Sequence, residues 1–364
     1  MKTSMSALPI WIALAIIGLV TTPVQAQHAS SDDQADAKVQ GWAFVIENDL
    51  FGADNAKDRW YTNGLQLVVG FEKGREPALL KPTLSWGRWM VPSDCEGDGC
   101  GLTMNTSLGQ SIYTPSQVDV AEPQPHDRPW AGWLYGGIGL SNLSANRHQM
   151  LALKVGVTGP ASLAEEAQKA AHQIFGSSKE PLGWANQLRP RLGVQLSYLS
   201  THFHFVDSPV GVQTSWGGAV GNVRTFLRGA LAVTWSPAGD HGRRIPSGGV
   251  DEGEFFIPDF SAHHSDGTLM DSLRHTDFYA HMQLSAVAYN VFLQGRTYAG
   301  DAQIDPERWV GTSTLGLTIP VGEKGQHKIG LAWKRRTPEF KVQGDHPQLD
   351  GYQSWGVLSY SHDL

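Results

Sequence analysis

Three features of the sequence predict an all-β fold: a transmembrane antiparallel β-barrel of about 12 strands with one external loop α-helix. Apolar and polar residues alternate with period two in segments of about 11–14 residues, against about 5–6 for an ordinary soluble strand. Beyond the N-terminal leader, no run of about 18 apolar residues offers a spanning helix. The 41 glycines, 13 tryptophans, 13 phenylalanines and 9 tyrosines accompany only 17% charged residues, and the mean hydropathy is negative. A barrel produces this balance, because polar residues facing the lumen cancel apolar residues facing lipid while aromatic residues collect at the two interfaces.

Residues 1–26 read as a signal peptide, with Lys2, an apolar run from Leu8 to Val20, and the small residues Val24 and Ala26 before the cleavage point. Residues 27–40 are polar and form a flexible leader, and the barrel occupies 41–364. The formal charge of -7 argues against nucleic acid as a partner. Cys95 and Cys100 are close in sequence in an exported chain, which favours a local disulfide over a metal site.

The alternation is clearest where Tyr61, Leu65, Leu67, Val69 and Phe71 share one face and Thr62, Gly64, Gln66 and Gly70 the other. Candidate strands are 41–49, 59–71, 103–113, 131–143, 146–158, 187–202, 211–219, 226–236, 277–287, 290–299, 308–319, 326–338 and 351–362. Single-chain bacterial barrels have even strand numbers, so the short, glycine-rich 211–219 is set aside to leave twelve. The stretch 160–176 breaks the rhythm. Leu163, Ala167, Ala170, Ala171 and Ile174 fall on one helical face, with Pro160 suited to the first turn and Gly176 to the stop.

A periplasmic N-terminus puts the connections 50–58, 114–130 and 159–186 on the cell exterior and the tight turn Ser144–Asn146 inside. The cysteine-bearing connection 72–102 is then an unusually long inner loop. The external connections hold the polar clusters. Asn48 and Asp49 end strand one and Thr62 begins strand two, so their side-chain oxygens could form a hard-cation site for calcium, although the same residue types make ordinary turns. On the helix Gln168 and His172 are spaced i, i+4 and point the same way, at the margin of the apolar face. A neutral histidine there can accept a proton from water beside a lipid ester; the plainer alternative is a partly exposed surface histidine.

Taken in order, seven segments resemble one family. They are Glu47-Asn48-Asp49, Tyr61-Thr62-Asn63-Gly64, Gly109-Gln110-Ser111-Ile112-Tyr113-Thr114-Pro115, Asp127-Arg128-Pro129-Trp130-Ala131-Gly132-Trp133, Gly156-Val157-Thr158-Gly159-Pro160, Gln168 with His172, and Gly183-Trp184-Ala185-Asn186-Gln187. The family is the bacterial outer-membrane lipid A 3-O-deacylases. The resemblance implies an outer-membrane enzyme that hydrolyses an ester-linked 3′-acyloxyacyl chain of lipid A within lipopolysaccharide, and a monomer is expected. It implies that Asn48 and Asp49 help to bind Ca2+, that Thr62 lies beside it, that His172 activates water with Gln168 nearby, and that the cation serves as oxyanion hole.

A lysine implicated in some relatives corresponds here to Val120, and the chain ends His362-Asp363-Leu364 without the terminal aromatic common in such barrels. Arg128, Lys57, Arg59 and Lys179 are candidates to meet lipid A phosphates. Two competing readings are a serine esterase barrel using His264-Ser265 or Ser361-His362, and a non-enzymatic pore or scaffold whose helix plugs the lumen.

Overall fold

The computed structural model describes residues 36–52, 59–93, 101–144, 146–175, 179–205, 208–238, 250, 268–295, 303–322, 325–341 and 351–364. The expected signal peptide, the Cys95–Cys100 pair, Lys57 and His264-Ser265 lie outside these residues. Twelve strands run in chain order: β1 Val39–Asn48, β2 Trp60–Phe71, β3 Thr103–Thr114, β4 Ala131–Leu143, β5 Arg147–Thr158, β6 Arg191–His204, β7 Val210–Gly221, β8 Arg224–Trp235, β9 Asp277–Asn290, β10 Trp309–Val321, β11 His327–Arg336 and β12 Gln353–Asp363. Each pairs with its chain neighbours, and β1 pairs antiparallel with β12, so the barrel has no free edge.

The expected number of strands holds, but two assignments change. The segment 211–219 is a strand after all, and β7 pairs residue by residue with β6 and β8. Its glycines hide the alternation while allowing close backbone approach: a side chain at Gly217 would meet the Tyr198 carbonyl, and one at Gly218 the Phe226 carbonyl. Of the expected strand 290–299, the described residues 291–295 are not strand. The Asn290 side chain accepts from the Phe292 amide at 3.1 Å and Gly295 adopts φ 55°, so Val291–Gln294 closes into a single helical turn.

Alternation sorts the wall as expected except at the start of β2. There the extra residue Thr62 turns Tyr61 into the lumen on the side of Gly64 and away from the face of Leu65, Leu67, Val69 and Phe71. Gln66, Ser107, Lys154, Gln195 and Thr314 are buried in the lumen, while Leu192, Leu227, Met282, Leu315 and Leu331 are exposed on the outside. The start of β1 and the C-terminal residue lie at one end, where the Leu364 amide donates to the Gln40 carbonyl at 2.9 Å. This turn end holds the tight β4–β5 connection, in which Ser144 N–H donates to Arg147 at 2.8 Å.

The long 72–102 connection also leaves from the turn end, and residues 72–93 of it are described. A 3₁₀ helix, Lys81–Met90, folds back along the outer wall. Met90 and Leu102 are buried with Phe71, Met104 and Leu140, with Leu80 and Leu84 packed around them. At the opposite end the lumen is filled. Tyr61, Tyr113, Trp133, Phe292 and Trp355 form one cluster there, joined by Val250.

The expected helix 160–176 divides in two. A 3₁₀ turn covers Gly159–Ser162, and Leu163 takes a left-handed φ of 56° that breaks the register. Helix α1 then runs Ala164–Phe175.

Candidate active site

The site begins at the outer end of β1 and β2. Asn48 stands opposite Asn63 in the β1–β2 register. Immediately before Asn63 the β2–β3 ladder is bulged between Tyr61 and Asn63, leaving Thr62 as the extra residue. The Thr62 hydroxyl shares a 2.7 Å hydrogen bond with the hydroxyl of Thr114. Asn48 caps the next turn, its Oδ1 accepting from the Leu50 amide at 2.7 Å. Asp49 is buried, with Oδ2 accepting from the Arg59 amide at 2.9 Å.

A clamp inside the lumen holds these residues from behind. Tyr61 donates its hydroxyl to Glu47 Oε2 at 2.5 Å, and Lys334 Nζ lies 3.4 Å from Glu47 Oε1. Gln353 donates to the carbonyls of Arg59 and Tyr61 at 2.6 and 2.8 Å. Glu47 and Tyr61 immediately precede Asn48 and Thr62, so this bond fixes the spacing of the two outer side chains. Both members are fully buried, where a charge-assisted hydrogen bond is at its strongest.

Helix α1 covers the adjoining wall. Ile112, which pairs with Asn63, packs with Ala164, Val118, Trp130 and Trp184. Gly132 permits the approach, because a side chain there would strike Ser162 and Ala164. Gln110 Nε2 donates to the Ser162 carbonyl at 2.6 Å and fixes the turn before the helix. Ile112 therefore touches the β1–β2 rim through the sheet and the helix through packing.

Gln168 is 3% exposed, so it sits within the buried face of α1 and not at its margin, while Leu163 and Ile174 are exposed. The Ala164, Ala167 and Ala171 row brings helix and sheet close because these side chains are small. Gln168 Oε1 accepts from Trp184 Nε1 at 2.9 Å, and its Nε2 is buried with no hydrogen-bond partner. One turn on, the half-buried His172 places Nδ1 2.7 Å from the Lys179 carbonyl. A carbonyl only accepts, so Nδ1 carries the proton and Nε2 is the basic nitrogen.

Several partners could not be read from sequence spacing. Trp184 orients Gln168 and packs tilted against Trp130, with ring centroids 4.9 Å apart. Asp127 ties the rim together, accepting from Trp60 Nε1 at 3.1 Å and from the Ser116 amide at 2.7 Å. Arg128 lies elsewhere than expected: it is 0% exposed, lies over the Tyr113 ring and pairs with Glu339 at 3.1 Å. It therefore braces the packed end of the lumen. Arg59 stacks on Trp60, and Lys179, exposed, lies 3.5 Å from Asp119. Ser361 and His362 are consecutive on β12 and so face opposite sides of the wall, which removes them as a Ser-His pair.

These observations define a class: a closed outer-membrane barrel with a polar cluster and a loop helix on its outer wall, at the end opposite the C-terminus. The family model for outer membrane protein LpxR matches residues 10–364. The chain belongs to the LpxR family, the outer-membrane lipid A 3′-O-deacylases. Among solved structures it is similar to LpxR from Salmonella typhimurium, at 19% identity and a TM-score of 0.62 over 89% of this chain and 100% of that one. The β domain of the Bordetella autotransporter BrkA aligns over 90% of this chain and 99% of that one, at 9% identity and a TM-score of 0.41. No curated protein sequence matches the chain.

Proposed function

We propose that the outer rim hydrolyses the ester-linked 3′-acyloxyacyl chain of lipid A in a calcium-dependent reaction, with His172 as general base. The observation that carries this reading is the Nδ1 contact of His172 with the Lys179 carbonyl at 2.7 Å, which makes Nε2 the proton acceptor. In this scheme Nε2 removes a proton from water as the water oxygen bonds to the ester carbonyl carbon. The same proton then passes to the departing sugar 3′-oxygen. Free acyloxyacyl acid and a 3′-hydroxyl result, and no acyl-enzyme forms.

Among the described residues no group of three or more His, Cys, Asp and Glu is placed to hold a metal ion. The described rim offers the Asn48 amide, the Thr62 hydroxyl and the Asp49 carboxylate, hard oxygen donors that suit calcium and not zinc. Asn48 and Asp49 would hold it, with Thr62 alongside. When bound, calcium would stabilise the charge that develops on the ester carbonyl oxygen. Gln168 adds a second donor through its unpartnered buried Nε2. The exposed Leu163, Ile174 and Leu182 give the site an apolar flank toward the acyl layer of the outer leaflet.

The test uses purified protein and lipid A in mixed micelles. Treatment with a calcium chelator is expected to abolish release of the acyl chain, readdition of calcium to restore it, and a fluorophosphonate to leave it unchanged. Full activity in chelator, or inactivation by the fluorophosphonate, contradicts the scheme.

A further inference from the structure

The surface of the 72–91 segment faces outward, far from the site, and its chemistry matches a phospholipid interface. Its inner side is seated on the lipid-facing residues Phe71, Met104 and Leu140. Its outer side presents Leu79, Trp86 and Trp89, exposed by 89%, 49% and 61%. Trp89 donates its indole N–H to the Trp86 carbonyl at 2.9 Å, so its polar atom is already satisfied and the ring can enter an apolar medium. The ring is also continuous with the aromatic belt of the wall: Trp89 lies 5.2 Å from Tyr198, which lies 5.4 Å from Trp216.

Charge supplies the second half of the argument. Lys81 and Arg88 belong to the same 3₁₀ helix, Arg88 is exposed, and neither forms an ion pair among the described residues. Tryptophans beside unpaired cations at the rim of an apolar band are the arrangement that seats a segment in the headgroup layer. A soluble partner would leave the continuity with the lipid-facing belt unexplained.

We infer that the segment Pro77–Val91 is an in-plane membrane anchor. It lies in the leaflet at the turn end of the barrel, with Trp86 and Trp89 at the level of the upper acyl chains and Lys81 and Arg88 against the phosphates of an anionic glycerophospholipid. It widens the barrel's footprint in that leaflet and holds the molecule against tilting and sliding along its axis.

The test reconstitutes full-length mature protein in vesicles of phosphatidylethanolamine and phosphatidylglycerol, with and without lipid brominated near the headgroup end of its acyl chains. Tryptophan emission of the wild type is compared with that of W86F/W89F, phenylalanine being chosen to remove the indole signal while keeping apolar area. Heat-modifiable mobility on gels verifies that each barrel is folded. The emission that W86F/W89F lacks is expected to be blue-shifted and strongly quenched by the brominated lipid. K81Q/R88Q is expected to weaken that quenching, as is replacement of phosphatidylglycerol by phosphatidylcholine. Emission from Trp86 and Trp89 that responds to aqueous iodide and not to brominated lipid overturns the anchor. Quenching unaffected by K81Q/R88Q and by lipid charge overturns the headgroup contact.

Discussion

Gln168 and His172 are four residues apart on one helix, and each is fixed by a partner outside that helix. Replacing Trp184 with Phe removes the donor to Gln168 Oε1 and leaves a buried acceptor unsatisfied, at a cost of about 1–3 kcal/mol in local stability. We expect Trp184→Phe to lower kcat with little change in KM, while the barrel keeps its heat-modifiable mobility. The luminal clamp gives a second prediction. Tyr61→Phe takes the hydroxyl from Glu47, which loosens the spacing of Asn48 and Thr62, and more calcium should be needed for half-maximal deacylation; an unchanged calcium requirement counts against the clamp. The i, i+4 pair was legible from helical periodicity alone. Its partners were not, because Trp184 is 16 residues from Gln168 and Thr114 is 52 from Thr62. Such contacts depend on which strands become neighbours. Arg128 shows the opposite difficulty: its position in an external connection implied exposure, whereas Glu339, which pairs with it, is 211 residues away.

Helix α1 and the strand wall beneath it form the element on which the site depends. The helix contributes a row of alanines, and β4 contributes Gly132 at the point of closest approach. Gly132→Val should force α1 outward, at roughly 1–3 kcal/mol for the overpacked contact. Deacylation should collapse while the folded barrel band on gels persists; unchanged activity in that variant would mean that the helix need not lie close to the wall. Period-two alternation located most of the strands because each has one polar and one apolar face. It failed at β7, where glycine carries no side chain to alternate. It failed again at 291–295, where Val291 and Phe292 resemble a strand but Asn290 and Gly295 cap a turn. The break in the loop helix at Leu163 was also hidden, because a left-handed leucine has no composition signal.

On the scale of the whole molecule, the proposed reaction makes the barrel a scaffold whose working surface is its outer wall. The lumen at the site end is packed with aromatic rings around buried cations, including Lys154 Nζ 4.5 Å over the Tyr135 ring. Planar-bilayer recordings should therefore show no steady conductance, and open-channel currents would favour a pore. Strand parity in the sequence already placed the helix and the Asn48, Asp49 and Thr62 cluster at one end. The closed order of the strands adds that β1 to β4 are contiguous, so the rim and the helix-covered wall form one surface. In the proposed scheme that surface meets lipid A laterally, without the substrate entering the lumen. The most direct test is mass spectrometry of lipid A from cells expressing either the wild type or His172→Ala at equal levels of folded barrel. Loss of the mass of one 3′-acyloxyacyl chain is expected with the wild type, and a decrease of about 10²–10⁴-fold in that conversion with the variant. Equal deacylation by His172→Ala would contradict the account.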